Sequence, residues 1–265
     1  MLFSVELPHV HAWSPDTPYL YTAVFTLLDE RGTPIDFEAA HVGFKRVELR
    51  ENVMTLNGKR LIVRGINRHE HSLKNGRAVT LEEMEREIRL MKQLNFNAVR
   101  TCHYPNAFEW YDLCDRYGLC VVCETNVETH GKYGDLAVSP QWAEAFLERA
   151  VRMVMTHKNA PCIIAWSLGN ESGIGPNHAA MANWIRDYDR TRLIQYERGE
   201  PEAHISDIRT PMYPTIEKIT DLLADGRDLR PLVLTEYAYN MSNSGGNFDQ
   251  YWDCLLYTSQ AQYVP

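Results

Sequence analysis

The chain has 265 residues, 45% of them hydrophobic and 11% aromatic, enough to bury the core of one large α/β domain or of one domain and part of another. With 27 basic residues against 35 acidic ones and a formal net charge of -8, it offers no basic face for a phosphate backbone, which argues against nucleic acid as a partner. No window approaches the roughly 18 to 20 apolar residues of a membrane span, and MLFSVELPHV lacks the regions of a secretory leader, so no membrane association and a cytoplasmic location are expected.

Residues 19–28 and 35–49 read as strands around the turn DERGTP, and no helical period appears before Leu81. So few strands bury too little surface to stand alone. Residues 1–50 are therefore expected to be the C-terminal part of an immunoglobulin-like β-sandwich, and residues 51–265 a second domain.

From residue 60 a unit of strand, polar segment and helix recurs. RLIVRGIN leads through RHEH to the helix LEEMEREIRLMKQL, apolar at Leu81, Met84, Ile88 and Met91. NAVRT leads through CHYPN to AFEWYDLCDRYG, closed by Gly118. LCVVCETN precedes VETHG and the helix PQWAEAFLERAVRMVMTH, with Pro140 in its first turn. CIIAWSL runs into GNES and NHAAMANWIRDYD. LIQYE is followed by the less regular HISDIRTPMY and the helix TIEKITDLLADG. PLVLT leads to EYAYNMSN and NFDQYWDCLLY.

Seven short apolar strands, each followed by a crossover, fit a (β/α)8 TIM barrel better than an open sheet. The eighth strand is unaccounted for, so the barrel is expected to be truncated. Its open parallel edges would make the isolated chain poorly stable and poorly active. The six cysteines form no disulfide scaffold, and Cys120 and Cys123, although spaced CxxC, read as buried free thiols on opposite faces of one strand.

In a barrel, side chains at the C-terminal ends of the strands meet at one mouth whatever their separation in sequence. Those ends carry His69, His71, His103, Glu128, His130, Asn170, Glu171, Tyr213 and Glu236, of which His71 reads as a hydrogen-bonded structural group and the other eight as candidates for the site. Glu171 and Glu236 each follow a strand too apolar to accept a charge without function or partner. Two carboxylates across a sugar-sized cleft can split a glycosidic bond, about 5 to 5.5 Å apart in a retaining enzyme and roughly 6.5 to 9.5 Å in an inverting one. Glu128 and His130, at i and i+2, can join Glu171 around a hard divalent cation such as Mg²⁺.

The stretches RGINRHEHS, NFNAVRTCHYPN, CDRYGLCVV, VETHG, IIAWSLGNESG and EYA resemble glycoside hydrolase family 2, and within it the bacterial lactose-splitting β-galactosidases, from about Trp13 to Trp252. The resemblance implies a retaining double displacement on terminal β-galactosides. Glu171 then matches the acid/base, Glu236 the nucleophile, and Asn170 the amide that bonds the sugar 2-hydroxyl. His69 and His103 match sugar-contacting imidazoles, and Tyr213 a tyrosine bonded to the nucleophile. Glu128, His130 and Glu171 match the ligands of a magnesium ion. The full-length enzyme is expected to be a homo-oligomer.

Two positions depart from the family pattern. Tyr239 stands where a histidine near the sugar 6-hydroxyl is usual, and Ser242 where glycine is usual. After Trp252 the tail no longer follows the family, so the chain reads as an internal fragment of a longer enzyme. The competing readings are a carbohydrate-binding remnant without turnover, a family 2 enzyme for β-glucuronides or β-mannosides, and a hydrolase using metal-activated water at Glu128 and His130.

Overall fold

The computed structural model describes residues 5–197, 202–239 and 245–261, with the backbone alone over 257–261; Ser242 lies outside them. The first elements are antiparallel. β1 (Tyr21–Leu28) pairs with β2 (Pro34–Val42), and β3 (Val47–Arg50), β4 (Val53–Leu56) and β5 (Lys59–Arg60) form a second small sheet. The β1–β2 hairpin is the part of the expected sandwich among the described residues, and Val24, Phe25, Leu27, Ile35 and Phe37 on it are exposed.

The single strand expected over 35–49 is two strands in different sheets. Between them Phe44 turns aside to bridge Ala12, its carbonyl accepting the Trp13 N–H at 2.7 Å. The buried Trp13 indole donates to the Asp115 carbonyl at 2.8 Å, which ties this N-terminal segment to the helical layer.

The expected strand at 60–67 is also shorter, β6 (Gly65–Arg68). Ahead of it the Asn97 amide takes over the ladder's work, bonding the Ile62 carbonyl and the Arg64 N–H at 2.9 and 2.7 Å. β6 begins a parallel sheet whose spatial order follows the chain: β6, β7 (Ala98–Thr101), β8 (Cys120–Glu124), β9 (Ile163–Ser167) and β10 (Leu193–Gln195). Sequential parallel neighbours joined by helical crossovers are the topology of a barrel wall. The sixth and seventh expected strands run side by side but touch as ladders only at Arg209–Leu232 and Met212–Glu236. Among the described residues no strand lies between the seventh and β6. There the Asn67 amide reaches across to the Thr235 carbonyl at 2.9 Å.

The helices follow their sequence signals. α1 (Leu81–Gln93) opens on a capping box in which Thr80 and Glu83 satisfy each other's backbone N–H, and it buries Met84, Ile88 and Met91. Leu81, assigned to the same stripe, is 53% exposed. α2 (Phe108–Tyr117) ends at Gly118. α3 (Asp135–Val138) is a short turn not expected from the sequence. α4 (Ala143–His157) starts three residues after Pro140, the intervening residues forming a 3-10 turn. α5 (Pro176–Tyr188), α6 (Ile216–Ala224) and α7 (Phe248–Ala261) complete the outer layer. The core lies between sheet and helices, with Val121, Ile163, Ala165, Trp166, Met181 and Ile185 fully buried. Cys102, Cys114, Cys120, Cys123 and Cys162 are buried free thiols.

Gly118 marks a tight contact between the N-terminal segment and the end of α2. It sits at φ +74°, and a Cβ there would lie 2.3 Å from the Pro15 carbonyl oxygen. Gly118→Ala is expected to destabilise the chain by about 1 kcal/mol or more, read as a lowered urea midpoint at unchanged slope.

Candidate active site

The site is assembled around Arg100, the third residue of β7, whose side chain points into the barrel and is 5% exposed. Its Nε and Nη2 donate to Glu124 Oε2 and Oε1 at 2.6 and 3.0 Å, Nη2 also to Asn170 Oδ1 at 2.7 Å, and Nη1 to Glu236 Oε1 at 3.0 Å. One guanidinium thus joins the ends of β8, β9 and the seventh strand. Burial alone would lower its pKa, but Glu124 and then Glu236 drive it upward, so the group stays a cation.

Glu124, the last residue of β8, is 0% exposed. Its oxygens are fully engaged: Ser167 Oγ donates to Oε2 at 2.7 Å, and His103 Nδ1 lies 2.8 Å from Oε1. His103 stands edge-on to His69, ring centroids 5.2 Å apart, and Tyr104 closes this wall with its hydroxyl 3.4 Å from His69 Nδ1. Burial, then His103 and Arg100, lower the His69 pKa, which favours a neutral ring able both to donate and to accept.

Opposite this wall, Glu236 follows the seventh strand and is held from both sides. Arg100 bonds one oxygen and the Tyr213 hydroxyl the other. The Tyr213 backbone fixes the pairing, its N–H donating to the Glu236 carbonyl at 2.7 Å. Burial and then the Glu236 carboxylate push the Tyr213 phenol up, so it remains a donor. Tyr239 packs edge-to-face on Tyr213 at 5.4 Å and is 62% exposed.

The GNES segment after β9 forms a strained turn. Glu171 has φ +41°, and Gly173 at φ +63° presses so closely on Gly134 that a Cβ would fall 2.3 Å from its Cα. Asn170 donates from Nδ2 to Glu128 Oε2 at 2.6 Å, and its N–H bonds the Val127 carbonyl at 2.8 Å. Glu171 Oε2 lies 2.9 Å from His130 Nδ1, and its N–H donates to Glu197 Oε1 at 2.6 Å. Burial pushes the Glu197 carboxyl up to about 8, the Glu171 N–H and Arg100 opposing it and the charges of Glu124 and Glu171 reinforcing it.

Glu128, His130 and Glu171 each offer a ligand atom within 4.8 Å of the others. Two carboxylates and an imidazole, with no lysine or arginine ion-paired to them among the described residues, are a donor set suited to a hard divalent cation. A cavity of about 1150 Å³ opens beside Arg100, Tyr213, Glu236 and Tyr239. It does not reach Asn170 or Glu171. It follows the gap between β6 and the Leu232–Thr235 segment and is an interstrand groove, so the hydrogen-bond geometry at the mouth, rather than this cavity, defines the site.

Comparison with known proteins fits this geometry. Residues 47–264 match the model for "Glycosyl hydrolases family 2, TIM barrel domain", and residues 2–45 match "Glycosyl hydrolases family 2". The chain belongs to glycosyl hydrolase family 2. Curated β-galactosidases of Vibrio cholerae and Vibrio vulnificus are similar at 48% and 49% identity, over 92% and 94% of this chain. The chain spans 25% of the length of each. Among solved structures, a β-D-glucuronidase of Dictyoglomus thermophilum covers 94% of this chain and 50% of its own at TM-score 0.76 and 20% identity, a likeness of fold alone. A β-glycosidase of Bacteroides vulgatus matches 84% of this chain and 29% of its own, at TM-score 0.72 and 26% identity.

All eight sequence-selected residues of this family 2 domain lie at the strand-end face, seven of them linked by hydrogen bonds or ion pairs: Glu171 to His130, Asn170 to Glu128 and through Arg100 to Glu236, Tyr213 to Glu236, and His103 through Glu124 to the same arginine. His69 joins by its ring contact. Sequence reasoning missed Arg100, Glu124 and Glu197. The signal was present: NAVRT, LCVVCE and LIQYE each place a charge in or at the end of an apolar strand, the same anomaly that singled out Glu171. Arg100→Met is expected to cost about 3–5 kcal/mol in urea unfolding, because Glu124 is left as a buried, uncompensated carboxylate. Adding Glu124→Leu should recover part of that loss.

Proposed function

We propose that this chain carries the catalytic centre of a retaining glycosidase acting on terminal β-D-galactosides. The observation that supports it most is the sharing of Arg100 between Glu236 and Asn170, which brings the neighbour of Glu171 and the second carboxylate to one mouth. Glu236, accepting from a cation and a phenol, is suited to attack the anomeric carbon as an anion. Glu171 protonates the departing glycosidic oxygen, which leaves with the aglycone while Glu236 becomes a glycosyl ester. Glu171 then takes a proton from an incoming water. The water oxygen displaces Glu236 from the sugar, restoring both carboxyl groups and the original anomeric configuration. Asn170, whose Nδ2 carries a second hydrogen beyond the one given to Glu128, is placed to bond the sugar 2-hydroxyl.

Galactoside is the preferred substrate because the curated relatives of nearly half identity are named β-galactosidases. Glu128, His130 and Glu171 would hold Mg²⁺, which when bound supplies positive charge beside the acid/base. His69 and His103 form the wall against which the sugar hydroxyls rest.

Incubated with a 2-deoxy-2-fluoro-β-galactosyl fluoride, the chain is expected to gain one fluorogalactosyl mass on the peptide containing Glu236, and Glu236→Gln to gain none. Labelling at another carboxylate would overturn Glu236 as the nucleophile, and no labelling in the parent chain would favour the non-catalytic sugar-binding reading. On nitrophenyl β-galactoside, Glu171→Gln should lower kcat by about 10²–10⁴-fold. Calorimetric titration of the chain with MgCl2 should show binding that Glu128→Gln weakens by about tenfold or more.

A further inference from the structure

We propose that Glu197 is a positioning residue: its carboxyl grips the backbone of Glu171 and fixes the direction in which that side chain enters the mouth. β10 lies parallel to β9 in a register that puts Leu193 beside Ala165 and Gln195 beside Ser167, and the Leu168 N–H bonds the Gln195 carbonyl at 3.0 Å. The two residues that follow β10 are therefore delivered against the turn that follows β9. Both act as clamps. Glu197 Oε1 takes the Glu171 N–H at 2.6 Å, and the Tyr196 hydroxyl takes the Ser172 N–H at 3.3 Å while donating to the Gly173 carbonyl.

The turn needs a clamp. Glu171 occupies the left-handed region at φ +41°, where a non-glycine residue rests only if its surroundings hold it there. Rotation of this one peptide would swing the Glu171 carboxyl away from His130 and out of line with Asn170. Glu197 is itself 5% exposed, and its second oxygen, Oε2, has no hydrogen-bond partner among the described residues, a costly arrangement for a group with no task. Among the described residues, only the oxygen facing Glu171 is employed. A carboxyl rather than an aliphatic residue at this buried position is explained by that single contact.

The functional consequence rests on reading Glu171 as the acid/base, whereas the placement of its peptide does not. Hydrogen exchange followed by mass spectrometry on the whole chain separates the two. In Glu197→Leu, the peptide containing residues 169–173 should exchange about tenfold or more faster, the expected effect of losing a hydrogen bond to a carboxyl acceptor. In Glu197→Gln, whose amide oxygen still accepts, it should exchange as in the parent, and peptides from β8 and β9 should be unchanged in both variants. Unchanged exchange of 169–173 in Glu197→Leu, equal loss in both variants, or loss spreading through β9 would each overturn the proposal. Leaving-group dependence then tests the catalytic half. Glu197→Leu should depress kcat/KM for an alkyl galactoside, which needs a proton, more than for a dinitrophenyl galactoside, which does not, and Glu197→Gln should rescue the difference. Equal depression of both substrates with local loss of exchange protection would leave Glu197 in place as a clamp and count against Glu171 as the proton donor.

Discussion

Everything at the mouth depends on one buried cation. Arg100 is rooted in β7, yet its guanidinium spends its donors on side chains from three other strand ends. Glu124, with no exposure to water, supplies the opposite charge that makes burial of the arginine tolerable. The planar fork of an arginine suits this role where a lysine would not, because two parallel bonds to Glu124 fix the plane in which the remaining hydrogens reach Asn170 and Glu236. The spacing of the groups across the mouth is thus set by the dimensions of one rigid side chain.

Around that centre the two candidate carboxylates are supported differently. Glu236 is restrained by side chains, Arg100 on one oxygen and Tyr213 on the other. Glu171 is restrained mainly through its backbone, in a turn where Gly173 meets Gly134 and where Tyr196 and Glu197 hold successive peptides. Its carboxyl is left with His130, itself 62% exposed, and with Glu128 close by. For the acid/base role proposed for Glu171, which requires proton exchange with substrate and water, an oriented backbone and a lightly held side chain serve better than a locked one. Strain in the turn and order in the strands below it go together, since β10 delivers Tyr196 and Glu197 against the turn that follows β9.

Much of this was legible in the chain itself. The unit of strand, polar segment and helix predicts the parallel wall, and helix starts such as Thr80 with Glu83 are written in local chemistry. The carboxylates of GNES and TEYA stand out because an apolar strand does not end in a charge without cause. Other features were hidden. The strand expected over 35–49 breaks because Phe44 pairs with Ala12, a contact no local pattern announces. The strand expected at 60–67 yields its first half to the Asn97 amide. Arg100 within NAVRT shows in the sequence as a charge in an apolar strand, but its partners, 24, 70 and 136 positions away, do not.

The sequence by itself determined the order of elements, the identity of the candidate carboxylates and the end of the barrel at which they gather, because these follow from period, apolarity and the fixed direction of a parallel strand. Only the tertiary structure decided which groups are paired: that Glu124 is spent on Arg100 and His103, that Asn170 bridges Arg100 and Glu128, and that Glu197 turns inward to hold Glu171. Local sequence encodes what a residue can offer. Which partner it meets is set by the register and curvature of strands distant in the chain, a property of the folded arrangement rather than of any segment in it.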